Sequence, residues 1–220
     1  MKTVVIKSFQ HFHSTLEKTA MVDRNLAYRG VSNAAYPLIP KIGRNKDYTL
    51  RLEQDVYKLF KKHATAFLNY EPIDEWEWLA IAQHYGLATR LLDWSESPLV
   101  AAYFAVAEES GEDSAVYVVD VSMYLDLELS INRNPFKVRG DEVFIPNHID
   151  SRITAQSGIF TIHSNPKKEF KKNVIQKIII PAKLRKKFKG MLFVYGIHQG
   201  TLFPDLVGQA QLVNWMKGYR

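Results

Sequence analysis

Between His84 and Pro98 a single stretch holds His84, Tyr85, Thr89, Arg90, Asp93, Trp94, Ser95, Glu96 and Ser97. These side chains cover proton exchange, anion binding, ring stacking and hydroxyl hydrogen bonding, so the stretch reads as a site. The imidazole of His84 can exchange a proton near neutral pH, and at a helix end it can equally act as a cap or a core donor. Arg90 and Asp93 are close enough in sequence to pair, which would make them clamps on the chain around them. Thr89, Ser95 and Ser97 can bind a ligand or cap exposed amides, and Ser97 before Pro98 is placed as an N-cap. Tyr85 and Trp94 offer rings that either stack on a planar ligand or fill a core.

Helices must hold this stretch at both ends. The spacing of Trp76, Leu79, Ala80 and Gln83 predicts a helix over 75–85, stopped at Gly86, which accepts a left-handed conformation. A second helix starts at Pro98 and runs through small and aromatic residues to 107, leaving a short connection between them. Upstream, 8–20 reads as a helix and 25–30 as a strand. The two prolines and glycine of 36–44 predict an extended run over the surface. Over 48–68, Leu52, Val56, Leu59, Phe60 and Phe67 fall on one helical face, with Arg51, Glu53, Lys58 and Lys61 left to water. Strands follow at 115–121, 158–163 and 174–180, with an irregular stretch containing Pro135, Gly140 and Pro146 in between. A last helix spans 203–216, with Leu206, Val207, Ala210, Leu212 and Val213 as its apolar face. This order predicts one α+β domain over 1–220, helices in the N-terminal half packed on a mainly antiparallel sheet.

Composition narrows the chemistry. With 220 residues, 46% hydrophobic and 24% charged, the chain suits one core-forming domain. It has no cysteine, which removes disulfides and thiolate metal sites and makes a cytoplasmic location the expectation. Neither a signal-peptide core nor a membrane-spanning run is present in the sequence. The net charge of +6 owes much to lysines and an arginine over 167–189. A solvated surface is the expected reading of that run, and attraction to a polyanion the alternative. No glycine-rich loop with Lys-Ser/Thr precedes a helix, no dinucleotide fingerprint follows a strand, and no Gly-x-Ser-x-Gly elbow occurs. His11, His13, His63, His84, His148, His163 and His198 are too scattered to predict a metal centre.

Tyr28-Arg29-Gly30, the 40–44 segment, His84-Tyr85-Gly86 through Leu92-Asp93-Trp94, Ser97-Pro98 with Ala101 to Ala105, Gln156 to Phe160 and Leu202 to Leu206 together resemble the landmarks of the FRG domain family, in order over about 26–207. Tyr28 stands where the Phe-Arg-Gly signature has its first residue. The order Arg29, then Ser95 ahead of a small-and-aromatic helix, is in turn similar to ADP-ribosyltransferases. That resemblance implies an ADP-ribosyltransferase-like fold, NAD as substrate, and transfer of ADP-ribose to a protein or nucleic acid, or NAD hydrolysis, as in a toxin or phage-defence effector. It assigns catalysis to Arg29, Gln156, His84 and Asp93. NAD contacts would come from Tyr28, Arg29, Gly30, Arg44, His84, Tyr85, Gly86, Thr89, Trp94 and Ser95. Arg29 would grip pyrophosphate through its planar fork, although a strand-end arginine can instead hold a carboxylate. Gln156 stands where such enzymes place a glutamate, and an amide offers a developing oxocarbenium only a dipole; Asp93, Glu96 and Asp205 are alternative acids. A non-catalytic module that binds nucleotide or nucleic acid through the same pocket and the basic C-terminal third is the competing expectation.

Overall fold

Runs of valine and isoleucine at 116–119 and 174–180 prefer extended backbone, because branched side chains pack well on a pleated surface. In the computed structural model, which describes residues 1–20, 25–68, 70–122, 134–145 and 155–218, these runs lie near the middle of a seven-stranded sheet. The strands are β1 (Lys2–Val5), β2 (Leu26–Val31), β3 (Leu91–Ser95), β4 (Ser114–Asp120), β5 (Glu142–Phe144), β6 (Gly158–Ile162) and β7 (Val174–Ile180), in the order β1-β7-β4-β2-β3-β6-β5. Only the β1–β7 pair is parallel; every other neighbouring pair is antiparallel.

Seven helices are found among the described residues: α1 (Phe9–Ala20), α2 (Leu50–Ala64), α3 (Glu75–His84), α4 (Pro98–Val106), α5 (Arg185–Val194), α6 (Gln199–Leu202) and α7 (Leu206–Met216). The α+β class holds. Its helices are not confined to the N-terminal half, since three of them follow β7. None is long and apolar enough to cross a membrane. Alternation along β4 explains the layering: Val116 and Val118 join Phe12, Ala102, Phe188 and Leu192 in one core, while Ala115, Tyr117 and Val119 join Leu38, Trp94 and Phe170 in another. A third cluster seats α2 and α3 on β3, β5 and β6 through Tyr57, Trp76, Leu79, Leu91, Phe144 and Phe160.

Gly30 marks where β2 meets α4. A methyl group there would come within 1.9 Å of the Ala101 carbonyl oxygen and 2.6 Å of the Ala105 nitrogen, both backbone atoms that side-chain rearrangement cannot move. Gly30→Ala is therefore expected to lower unfolding stability by about 1–3 kcal/mol in urea melts, as forced overpacking does. An unchanged midpoint would mean that strand and helix separate readily.

Five sequence expectations change. The connection between α3 and α4 contains β3, whose Leu91, Leu92 and Trp94 are buried and which pairs with β6 over its whole length. Over 36–44 the chain is only partly a surface run: Tyr36, Pro37, Lys41 and Arg44 are exposed, but Leu38, Pro40 and Ile42 are buried and Lys41–Arg44 forms a 3₁₀ turn. On α2 only part of the apolar stripe turns inward: Phe60 packs against the core and Val56 is half-buried, but Leu59 is 57% and Phe67, just beyond the helix, 85% exposed, while Glu53 and Tyr57 face in. The reason is Arg90. It does not pair with Asp93; buried just ahead of β3, its Nε donates to Glu53 Oε1 at 2.8 Å and its Nη2 to Oε2 at 2.6 Å. On α7, likewise, Leu206, Val207 and Val213 are exposed and Gly208 is the buried residue. Of the other landmarks, Gly86 ends α3 with φ +87° and Ser97 Oγ accepts from the Val100 amide at 3.4 Å, as expected of terminator and N-cap. Pro146 and His148 lie outside the described residues.

Candidate functional site

β2 runs alongside β4 for six residue pairs but meets β3 at Tyr28↔Ser95 alone, so the sheet forks on either side of that pair. A side chain bridges the fork: Arg29 Nη1 donates to the Asp93 carbonyl at 2.6 Å and to its carboxylate at 3.2 Å. Around this bridge opens a cleft of about 510 Å³, within the range usual for small-molecule sites.

The structure brings most of the sequence-assigned residues to this cleft. Tyr28, Arg29 and Gly30 reach it from β2, Arg44 from its 3₁₀ turn, His84 from the end of α3, Asp93, Trp94 and Ser95 from β3, and Gln156 from just before β6. Three others lie elsewhere. Tyr85, 57% exposed, lines a separate apolar hollow with Phe60, His63 and Phe67, its ring meeting that of His84 edge-on at 5.1 Å between centroids. Thr89 is buried beneath the cleft, donating to Gln83 Oε1 at 2.5 Å, and Gly86 offers its carbonyl to Lys41 Nζ at 2.9 Å. Of the alternative acids, Glu96 and Asp205 are not among the cleft residues, and Asp205 caps α7 by accepting from the Gly208 amide at 2.7 Å.

Hydrogen bonding separates scaffold from usable groups. Gln83 Nε2 donates to both Asp93 oxygens at 2.9 Å, so that carboxylate serves Gln83 and Arg29 together. Trp94 is 3% exposed and its Nε1 donates to Thr161 Oγ1, which in turn contacts His163 Nε2 at 3.0 Å; the indole belongs to the core that floors the cleft. Burial, with the charges of Arg29 and Arg90 adding to it, lowers the His163 pKa to about 4 against the opposing pull of Asp141, so the ring is neutral at physiological pH. Ser95 Oγ donates to the Gln156 carbonyl at 2.6 Å and accepts from the Ser97 amide, joining the β3 end to the approach to β6. Gln156 Nε2 donates to the Leu202 carbonyl at 3.1 Å, which leaves Oε1 as an acceptor.

The arginines are only partly engaged. Arg29 uses Nη1 and Arg44 uses Nε, on the Ile39 carbonyl at 2.9 Å, so each keeps two guanidinium nitrogens for another acceptor. Arg44 stays exposed overall, yet its pKa is lowered, first by partial burial and then by the charge of Arg29. Two guanidinium groups thus face one cleft.

Sequence reasoning missed Tyr36, Gln83, Phe104 and Glu108, which also line the cleft. Tyr36, half exposed, is the accessible ring on the rim. Glu108 follows α4 and its backbone carbonyl accepts from Arg185 Nη2 at 2.6 Å, while Arg185 Nη1 holds the Ser32 carbonyl at 2.7 Å. Arg185 thus belongs to the core and fixes two cleft residues, although the sequence placed it in a solvated basic run. Among the described residues no cluster of three or more histidine or acidic side chains could hold a metal ion.

Residues 24–114 match the family model of the FRG domain. The match takes in Tyr28-Arg29-Gly30, Arg44, and the whole His84 to Ala105 block, under half of the chain's 220 residues; the landmarks around Gln156 and Leu202 lie beyond it. No curated protein and no solved structure matches the chain.

Proposed function

We propose that this cleft binds NAD by its pyrophosphate and supports cleavage of the nicotinamide glycosidic bond, with ADP-ribose passed to a macromolecular acceptor or to water. The observation that carries this reading is the pair of arginines, Arg29 and Arg44, facing one cleft with two unengaged nitrogens each. Two cations held near one another favour a ligand with more than one negative charge, and a guanidinium edge matches the spacing of phosphate oxygens. The sugar end is supported by strand order: β2, β3 and β6 are neighbours, and they carry Arg29, Ser95 and, just ahead of β6, Gln156 to the same opening.

Bond cleavage leaves the glycosidic electron pair on the departing nicotinamide and positive charge on the ribose. Gln156 Oε1 is fit to orient a ribose hydroxyl, but an amide dipole stabilises that charge weakly. Asp93 is already shared between Arg29 and Gln83. Glu108 is the other acid among the residues lining the cleft; its backbone carbonyl is held by Arg185, whose charge its carboxylate also feels. In this reading it balances the developing charge and takes the proton that the attacking acceptor or water sheds as its lone pair bonds to the ribose carbon. Tyr36 is the ring best placed to lie on nicotinamide or adenine.

Incubation with NAD labelled in the nicotinamide ring tests the proposal. Release of nicotinamide is expected, falling about 10²-fold in Glu108→Gln, the usual size for loss of an acid–base group. Neither release nor an NAD-dependent rise in melting temperature would overturn it.

A further inference from the structure

A second cavity of about 450 Å³ adjoins the first, the two sharing Phe104, Glu108 and Phe203 as a common wall. Beyond that wall it is completed by parts of the sequence that the first cleft leaves unused, chiefly the basic helix α5 and the C-terminal helix α7. Its rings come from both helices, with Phe193 and Trp215 in contact at 5.2 Å between centroids. Trp215 is 37% exposed, whereas Trp76, Trp78 and Trp94 are buried, so this indole is the one partly accessible from outside among the described residues.

The polar edge of this cavity is an amide chain. Tyr103 donates its hydroxyl to Gln199 Oε1 at 2.6 Å, and Gln199 Nε2 donates to Gln211 Oε1 at 2.6 Å. The chain fixes the Gln211 amide and leaves its Nε2 hydrogens for an acceptor beyond the protein. Lys189 lines the same cavity, its Nζ held by the Ala107 carbonyl at 2.8 Å and 5.5 Å from the Trp215 ring. One turn earlier on α5, Lys186 shares the face of Lys189 and Phe193 by helical spacing and is exposed, while Phe188 and Leu192 are buried against the core.

We propose that this cavity is a nucleobase subsite for single-stranded nucleic acid. A base lies on Trp215 beside Phe193, its polar edge meets the Gln211 amide, and its phosphate runs toward Lys186. An open aromatic face, a fixed amide and a flanking lysine row are the three elements by which proteins hold unpaired strands. A duplex buries its base faces in its own stack and offers only its backbone, so it engages the lysines alone. Should the first cleft hold NAD, the base would stand across the wall from the donor ribose; binding itself does not depend on that reading and survives its failure.

Fluorescence anisotropy without NAD, using short labelled single-stranded DNA, single-stranded RNA and the DNA duplex of the same sequence, tests this. The expected result is preference for one or both single strands over the duplex, weakened about tenfold or more by Trp215→Ala, the size expected for loss of one base–aromatic stack. Lys186→Glu should also weaken binding and lower the slope of log affinity against log salt by about one. Gln211→Ala, at an exposed position, gives a second variant should Trp215→Ala destabilise α7. No binding, or binding that ignores both Trp215→Ala and Gln211→Ala, overturns the proposal.

Discussion

Glu53→Ala is expected to destabilise the protein by about 3–5 kcal/mol, measured as a shift in urea midpoint at constant slope. Both partners of the Glu53–Arg90 pair are 2% exposed, and the contact is bidentate at 2.8 and 2.6 Å. Tyr48 completes the shell by donating its hydroxyl to Glu53 Oε2 at 2.9 Å, and Phe136 lies 5.2 Å from the guanidinium carbon. Removing the carboxylate leaves a guanidinium with no counter-charge in a place water does not reach. The guanidinium cannot shed its proton to escape. The double variant Glu53→Leu, Arg90→Met should recover most of the loss, since two desolvation penalties vanish together with the attraction. A single-variant loss below about 1 kcal/mol, the range of solvent-exposed pairs, would mean that water enters the site.

That pair also shows where the sequence stops being informative. The helical period of α2 is written in its residues, and the helix forms almost where the period places it. Which face turns inward is not a local property. Leu52, Leu59 and Phe67 outvote Glu53 and Tyr57 on hydrophobicity, yet Glu53 goes inside because an arginine just ahead of β3, far along the chain, requires a counter-charge there. Local signals with a single physical cause were legible: Gly86 at positive φ, Ser97 as an N-cap, and β7 with its run of isoleucines. β3 was hidden because its ladder partner, β6, is distant in sequence, and its five residues resemble a polar connection when read without that partner.

The same division applies to the cleft. Arg29, His84, Asp93 and Ser95 stand out by chemical type within two short segments, and the fold brings those segments together. Tyr85 and Thr89 belong to the same dense block, but helix-end geometry turns one outward and a hydrogen bond to Gln83 buries the other. Glu108 gave no signal of its own, sitting among exposed acids after α4; its place depends on Arg185 clasping its carbonyl from the far end of the chain. An arginine inside a lysine run was the available clue, since its five donors suit backbone carbonyls better than solvent.

On the NAD reading, Arg29→Ala is expected to cut nicotinamide release by about 10²–10³-fold, the range for loss of a preorganised donor at a charged centre. The fold should scarcely change. The Arg29–Asp93 bridge is partly open to solvent, with side chains 16% and 53% exposed, and such pairs contribute about 0–1 kcal/mol. Asp93 also keeps both hydrogen bonds from Gln83. Arg29→Lys separates charge from geometry: an ammonium restores the cation but not the flat edge that holds the Asp93 carbonyl and a phosphate at once, so its turnover should fall between wild type and Arg29→Ala. Stability and turnover must therefore part company. Turnover kept above a tenth of wild type in Arg29→Ala would place the pyrophosphate elsewhere, and a collapse of turnover with an equal collapse of melting temperature would make Arg29 a strut of the forked sheet and no ligand contact.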